Sequence, residues 1–181
     1  MSVITDTTVY DSKPADKRSE VEESTYDFLE KNNIVFQRID HNSADTIADC
    51  QDIEKFIGAE ICKNLFLKNS AKTQYYLLLM DGNKKFDSKI ISHQIGSTRL
   101  SFASPEDMIE YLGIQPGSVS IMGLINDPEN NVRLIIDSSL LKKEYFCCHP
   151  CKNTSTLKFK TEDILNNFLP ATKHDYIVVH I

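Results

Sequence analysis

The sequence predicts an α/β fold of the α+β type, a mixed and largely antiparallel sheet with peripheral helices. Three observations predict it. Helical and strand-like patterns are interleaved without strict βαβ regularity. Several neighbouring strand candidates are joined too tightly for a parallel crossover. The chain has 181 residues, enough for one sizeable core and too few for a second large catalytic body.

Met1 to about Arg18 is polar and aperiodic, and reads as a loose or weakly docked extension. Residues 19–181 read as a single domain. Ser19 and Glu22 make a capping box for a first helix that carries Val21, Thr25, Phe28 and Leu29 on one face and ends near Lys31 to Asn33. Ile34–Ile39 reads as a strand, and Thr46 to about Phe56 as a helix ending before Gly58. Leu65–Lys68 and Tyr75–Met80 are apolar runs expected to pair, followed by an Asp81-Gly82-Asn83 turn. Asp87 caps a helix with Ile90, Ile91 and Ile95, closed by Gly96. Ser104 caps another, with Pro105 at its first position and Gly113 at its end. Val119–Leu124, Val132–Asp137, Tyr145–Cys148, Ser155–Phe159 and Ile177–Ile181 are further strand candidates. Thr161 is expected to cap a last helix through Leu169, stopped by Pro170.

Bulk properties remove several function classes. No stretch approaches the roughly 20 apolar residues of a membrane span. The N-terminus lacks the basic start and apolar core of a signal peptide, so the cytoplasm is the expected location. A formal net charge of −6 argues against broad binding to nucleic-acid backbone, though not against local recognition by one or two cations. Five cysteines, an odd number, argue against a disulfide framework. The run Cys147-Cys148-His149-Pro150-Cys151 has zinc-like spacing but no second ligand pair elsewhere, and strand neighbours point to opposite faces. No metal and no cofactor are therefore expected.

The chain has no GxSxG elbow, phosphate-binding glycine loop, HExxH or Rossmann fingerprint. Three segments carry what chemistry there is. PGSVSIMGLIND, Pro116 to Asp127, sets Gly117 and Gly123 around a short apolar run, either to let backbone approach a ligand or simply to make a hairpin or bulge. HPCKNTST, His149 to Thr156, sets His149 and Asn153 on either side of a proline-stiffened bend. His149 could orient a substrate or donate a hydrogen bond to it, or bond only to backbone. Asn153 has donor and acceptor groups and could serve a substrate or a turn. CKNLFLKN, Cys62 to Asn69, puts Lys63 at the mouth of an apolar strand, as a site cation or a strand-end lysine with its head in water.

Taken in order, and with RLSFAS at Arg99 to Ser104, these segments resemble the freestanding prolyl-tRNA editing proteins, the YbaK-like or prolyl-tRNA synthetase-associated domain family, closest to the ProX/PrdX branch. The likeness runs from about Ser19 to the C-terminus. It implies a curved, partly closed sheet and hydrolysis of the ester joining a wrong amino acid to tRNA, acting in trans. It implies Lys63, Gly123 and His149 as catalytic positions, and Gly117, Ser118, Ile121, Met122 and Asn153 as substrate-binding ones. The implied partner is mischarged tRNA, expected to be alanine on proline tRNA, with prolyl-tRNA synthetase as the enzyme served. Such an ester is intrinsically activated, so absence of a triad or metal site is compatible with the activity. One departure stands out. The family pattern Gly-x-x-x-Pro is here Gly117-Ser118-Val119-Ser120-Ile121, which restores a backbone N–H and adds a branched side chain, and is expected to alter amino-acid preference. Two rival readings are a non-catalytic module of the same fold that recognises aminoacyl-tRNA or an amino acid, and a cysteine-dependent hydrolase or redox protein using Cys148 or Cys151, for which no base-and-orienter arrangement is visible. On the cysteine spacing, activity is expected to survive a chelator; stoichiometric zinc in freshly purified protein, or inactivation by a chelator reversed by zinc, would overturn this.

Overall fold

Local signals place most helix ends. The computed structural model describes residues 3, 6–44 and 47–181, with the side chains of residues 47 and 48 left aside. Helix α1 (Glu20–Lys31) opens where the Glu22 carboxylate accepts from both the Ser19 hydroxyl (2.6 Å) and the Ser19 N–H (3.3 Å). Strand β1 (Gln37–Asp40) and helix α2 (Ile47–Ile57) follow; the expected start of α2 at Thr46 lies outside the described residues. Strands β2 (Lys63–Asn69) and β3 (Tyr75–Met80) form an antiparallel pair, with Lys63 opposite Met80. Helix α3 (Ser88–Gln94) is capped by the Asp87 carboxylate, which accepts from the N–H groups of Lys89 and Ile90. Leu100–Phe102, which had no strand expectation, is strand β4, pairing antiparallel with β2. Helix α4 (Pro105–Leu112) has a reciprocal Ser104–Asp107 cap and a left-handed Gly113 at its end.

Strands β5 (Val132–Asp137), β6 (Tyr145–Cys148), β7 (Ser155–Lys160) and β8 (Tyr176–Val179) complete two sheets. One is antiparallel in the order β1-β7-β6. The other is mixed, in the order β4-β2-β3-β5-β8, with β5 parallel to both β3 and β8. Its parallel pairs are reached because residues 81–131 and 138–175 supply long crossovers. An isolated parallel bridge between Ile61 and Cys147 joins the lead-in of β2 to the edge of the other sheet, so the two curve around one principal core. Among the described residues no helix is long and apolar enough to cross a membrane.

Two expectations are corrected. Val119–Leu124 is not a strand: Ile121–Asn126 winds as a 3₁₀ helix, N-capped by the Ser120 side chain. Its short apolar run mimics a strand, but every residue from Ile121 to Leu124 is buried, which a one-faced strand does not do. Nor does Pro170 stop the last helix. Thr161–Asp163 runs through a π-helical turn, Ile164–Phe168, into Leu169–Thr172. The wider turn comes just before Pro170, which has no N–H to give to a tighter one. Lys173, left-handed at φ 60°, ends the helix instead.

Gly123 sits where this 3₁₀ helix meets α4. A Cβ there would lie 2.6 Å from Ile114 Cδ1 and 3.0 Å from Leu112 Cβ. Gly123→Ala should therefore destabilise the protein by about 1–3 kcal/mol through overpacking, read as a lower urea midpoint with the m-value unchanged.

Candidate active site

The three motif segments converge on the face where β2 starts and the β6–β7 connection turns. Lys63 is the first residue of β2, half-buried, and its Nζ donates to the Lys84 carbonyl at 2.7 Å. Among the described residues no carboxylate pairs with it. It lines a cavity of about 290 Å³ together with Ala44, Cys50 and Glu54 from the α2 side and Gly82 and Asn83 from the turn after β3.

The next residue, Asn64, carries the connection onward. Its Nδ2 donates to the Cys62 carbonyl (3.2 Å), and its Oδ1 accepts from the Ile121 N–H (3.1 Å). Ser120 then accepts from the Met122 N–H (3.2 Å) and donates to the His149 carbonyl (2.5 Å). A continuous polar path thus runs from the strand bearing Lys63 to the bend bearing His149.

Hydrogen bonding fixes the state of His149. Its Nδ1 lies 2.8 Å from the Ser155 carbonyl, which can only accept, so Nδ1 carries the proton and Nε2 carries the lone pair. Burial, with the His41 ring 6.0 Å away adding the same sign, outweighs the Ser155 bond and brings the pKa down to about 4. His41 is likewise neutral-biased by burial; its Nδ1 donates to the Asn42 carbonyl (2.7 Å) and its Nε2 accepts from Thr156 Oγ1 (2.9 Å). His149 therefore offers an acceptor through Nε2, not the donor that one sequence reading allowed.

Asn153 is half-buried and donates through Nδ2 to Ser43 Oγ at 2.8 Å, while its carbonyl accepts from the Ala44 N–H at 3.4 Å. Ala44 also lines the Lys63 cavity, so the loop before α2 touches both halves of the site. Gly117 is exposed at φ 85°, in a Gln115–Ser118 turn closed by a 3.2 Å bond, and a Cβ there would lie 4.0 Å from Asn153 Nδ2. Ser118 is buried beside it.

Gly117 thus approaches Asn153, Asn153 meets the Lys63 cavity through Ala44, and His149 is tied to the Lys63 strand through Ser120 and Asn64. Three others do not present themselves as expected. Ile121 and Met122 are fully buried in the main core and so cannot line a substrate pocket with their side chains. Gly123 is buried, and its N–H donates to the Ser120 carbonyl at 3.0 Å, so it has no free donor for an oxyanion. The N–H that Ile121 restores is taken up by Asn64. Sequence reasoning missed Asn64, Ser120 and His41; the Asn directly after Lys63 was the one visible signal, since a polar side chain at a strand start needs a partner.

The four buried cysteines are unsuited to nucleophilic work. Burial pushes Cys62 and Cys151 up to about 12 and Cys148 well above its ordinary value. Cys147 faces a separate cluster with Ile39 and Ile53, away from Cys148 and Cys151 in the main core.

A family model for the aminoacyl-tRNA editing domain matches residues 41–166, a stretch containing every one of these site residues. The chain belongs to the aminoacyl-tRNA editing domain family. Its activity class is that of an aminoacyl-tRNA deacylase, a hydrolase of mischarged tRNA. It is 34% identical over 136 residues to the prolyl-tRNA editing protein ProX of Acetoanaerobium sticklandii, covering 75% of this chain and 83% of that protein. It is 30% identical over 148 residues to the prolyl-tRNA synthetase associated domain-containing protein 1 of Mus musculus, covering 78% and 85%. In fold it matches a crystal structure described as a candidate trans-editing enzyme for prolyl tRNA synthetase, with a TM-score of 0.67 at 16% identity over 91% of this chain and 99% of that one. An epitope-grafting scaffold matches with a TM-score of 0.69 at 18% identity, over 91% and 99%.

A neutral His149 in the editing domain makes a pH prediction with a definite sign. Its folded pKa lies below the unfolded value near 6.5, so between about 6.5 and 4 the unfolded chain binds a proton that the folded chain refuses. Stability should fall as pH drops through that window, by on the order of 2–3 kcal/mol from His149. Urea unfolding at pH 7 and pH 4.5 should show the loss, and His149→Gln should remove most of it.

Proposed function

We propose that this editing domain removes alanine from proline tRNA, acting in trans to correct the product of prolyl-tRNA synthetase. The observation that carries this reading is the small Lys63 cavity tied through Asn64 and Ser120 to a neutral His149. A space of about 290 Å³ suits a small aminoacyl group and leaves the terminal adenosine to lie outside it, along Gly117 and Asn153. A synthetase pocket sized for proline also admits the smaller alanine, and a methylene is worth only about 1–3 kcal/mol, so a second sieve is needed.

The chemistry asks little of the protein. Water adds to the ester carbonyl, the carbon–oxygen bond to the ribose breaks, and free amino acid and tRNA leave. With a pKa of about 4, His149 is too weak a base to pull a proton strongly at neutral pH. Its Nε2 lone pair serves better as a fixed acceptor that orients the attacking water or a ribose hydroxyl. Lys63, held in place by the Lys84 carbonyl, supplies positive charge for the phosphate or ribose end of the substrate. Asn153 and the exposed Gly117 backbone bind the adenosine end. With Ile121 and Met122 in the core, selection among amino acids falls to the residues that face the cavity, Ala44 and Cys50 among them.

The test is side-by-side deacylation of alanyl-, cysteinyl-, seryl- and prolyl-tRNA. Alanine on proline tRNA should be lost fastest. Lys63→Ala should lower kcat/KM by about 10²-fold or more with the fold unchanged by circular dichroism, and His149→Ala by about 10-fold or more. Binding of aminoacyl-tRNA with no loss of any amino acid would favour the non-catalytic module instead.

A further inference from the structure

We propose that the described part of the N-terminal segment, Val3 and residues 6–18, which lies outside the stretch matched by the family model, is a strap that positions the substrate-binding side of the site, with Val3 acting on Asn42. This rests on the assignment of Lys63, His149 and Asn153 above. Three anchors support it.

The first is apolar. Val3 is 6% exposed and packs with Ile39, Ile53, Ile57 and Cys147 in a small cluster separate from the main core, against which Ala44 and Ile61 also pack. Ile53 and Ile57 lie on the inner side of α2, the helix whose Cys50 and Glu54 line the cavity, and Ala44 and Ile61 line the cavity themselves. Val3 therefore packs behind the cavity wall. Such a satellite cluster opens more readily than a main core, so losing one member should loosen α2 without unfolding the sheet.

The second anchor is the Val3 carbonyl, which accepts from the Asn42 N–H at 2.9 Å. Asn42 stands between His41, whose ring donates to the Asn42 carbonyl, and Ser43, which accepts from Asn153. The third lies further along. Tyr10 and Arg38 exchange two backbone bonds (2.8 and 2.7 Å), with the Arg38 guanidinium 4.5 Å from the centre of the Tyr10 ring. Arg38 and Arg18 both pair with Asp40; Asp40 accepts from Ser155 Oγ (2.8 Å), and the Ser155 carbonyl holds His149. The segment thus reaches Asn153 through Asn42 and Ser43, and His149 from Arg18 through Asp40 and Ser155.

The experiment uses full-length Val3→Asp and Val3→Ala with two readouts. One is steady-state deacylation. The other is iodoacetamide labelling of Cys50, which is half-buried on α2 while the other four cysteines are buried. Val3→Asp should raise KM about fivefold or more with kcat within about twofold, and Val3→Ala should shift KM the same way by less. Cys50 should label about fivefold faster in Val3→Asp. A purely structural contact would lower the melting temperature without this KM-against-kcat split. Unchanged KM in both folded variants overturns the proposal if Lys63→Ala and His149→Ala show the losses expected above. If those two do not, the site assignment has failed instead, and labelling alone decides the strap: acceleration supports it and an unchanged rate overturns it.

Discussion

The bond from the Ile121 N–H to Asn64 Oδ1 is the constraint on which the site depends. A 3₁₀ helix leaves its first N–H groups without internal partners, and this one starts in the interior, where water cannot serve them. Two side chains solve the problem, Asn64 for Ile121 and Ser120 for Met122. Each has a second bond that extends the solution outward, Asn64 to Cys62 at the start of β2 and Ser120 to the His149 carbonyl. Satisfying one helix end therefore fixes the distance between the Lys63 strand and the His149 bend. A proline at position 121 would have no N–H to satisfy. With isoleucine, Asn64 is drawn into the scaffold, and the branched side chain fills core rather than pocket.

Much of the fold was legible because its signals are local. The caps at Ser19, Asp87 and Ser104 and the left-handed Gly113 each rest on contacts within about one helical turn, and each stands where the sequence places it. What failed depends on distant partners. Val119 to Leu124 is a short apolar run that reads as a strand, whereas the 3₁₀ helix is capped by Asn64 from β2 and packs Gly123 against Leu112 and Ile114. Pro170 reads as a stop because nothing nearby announces a π-helical turn. Division into two sheets joined at Ile61 and Cys147 is likewise a matter of register, which a strand pattern does not carry.

The site divides along the same line. Lys63, Gly117, His149 and Asn153 stand in short motifs and could be named as candidates. Their states could not. The tautomer of His149 is set by Ser155 across the β6–β7 bend, and its low pKa by burial and by His41 just after β1. Asn64 and Ser120 act through partners 57 and 29 residues away. Residue type gives chemical capacity, and long-range packing decides which part of that capacity is left for a ligand.

That distinction bears on how an acidic protein can serve a tRNA end. Two cations near the site are already used: Lys84 is paired with the fully buried Asp137, and Lys143 with Glu60 and Asp81. Lys63 differs, since its described partner is a carbonyl, which orients the ammonium without neutralising it. A single charge placed this way attracts a phosphate only at short range once salt screens it. Selection of the correct tRNA end must then come from contacts around it rather than from the field of the whole protein. The net charge of −6 acts in the same direction, by disfavouring nonspecific binding along the rest of a polyanion. On this reading the acidic surface and Lys63 work together, the first suppressing loose attachment and the second retaining only an end that also fits the Asn153 and His149 side.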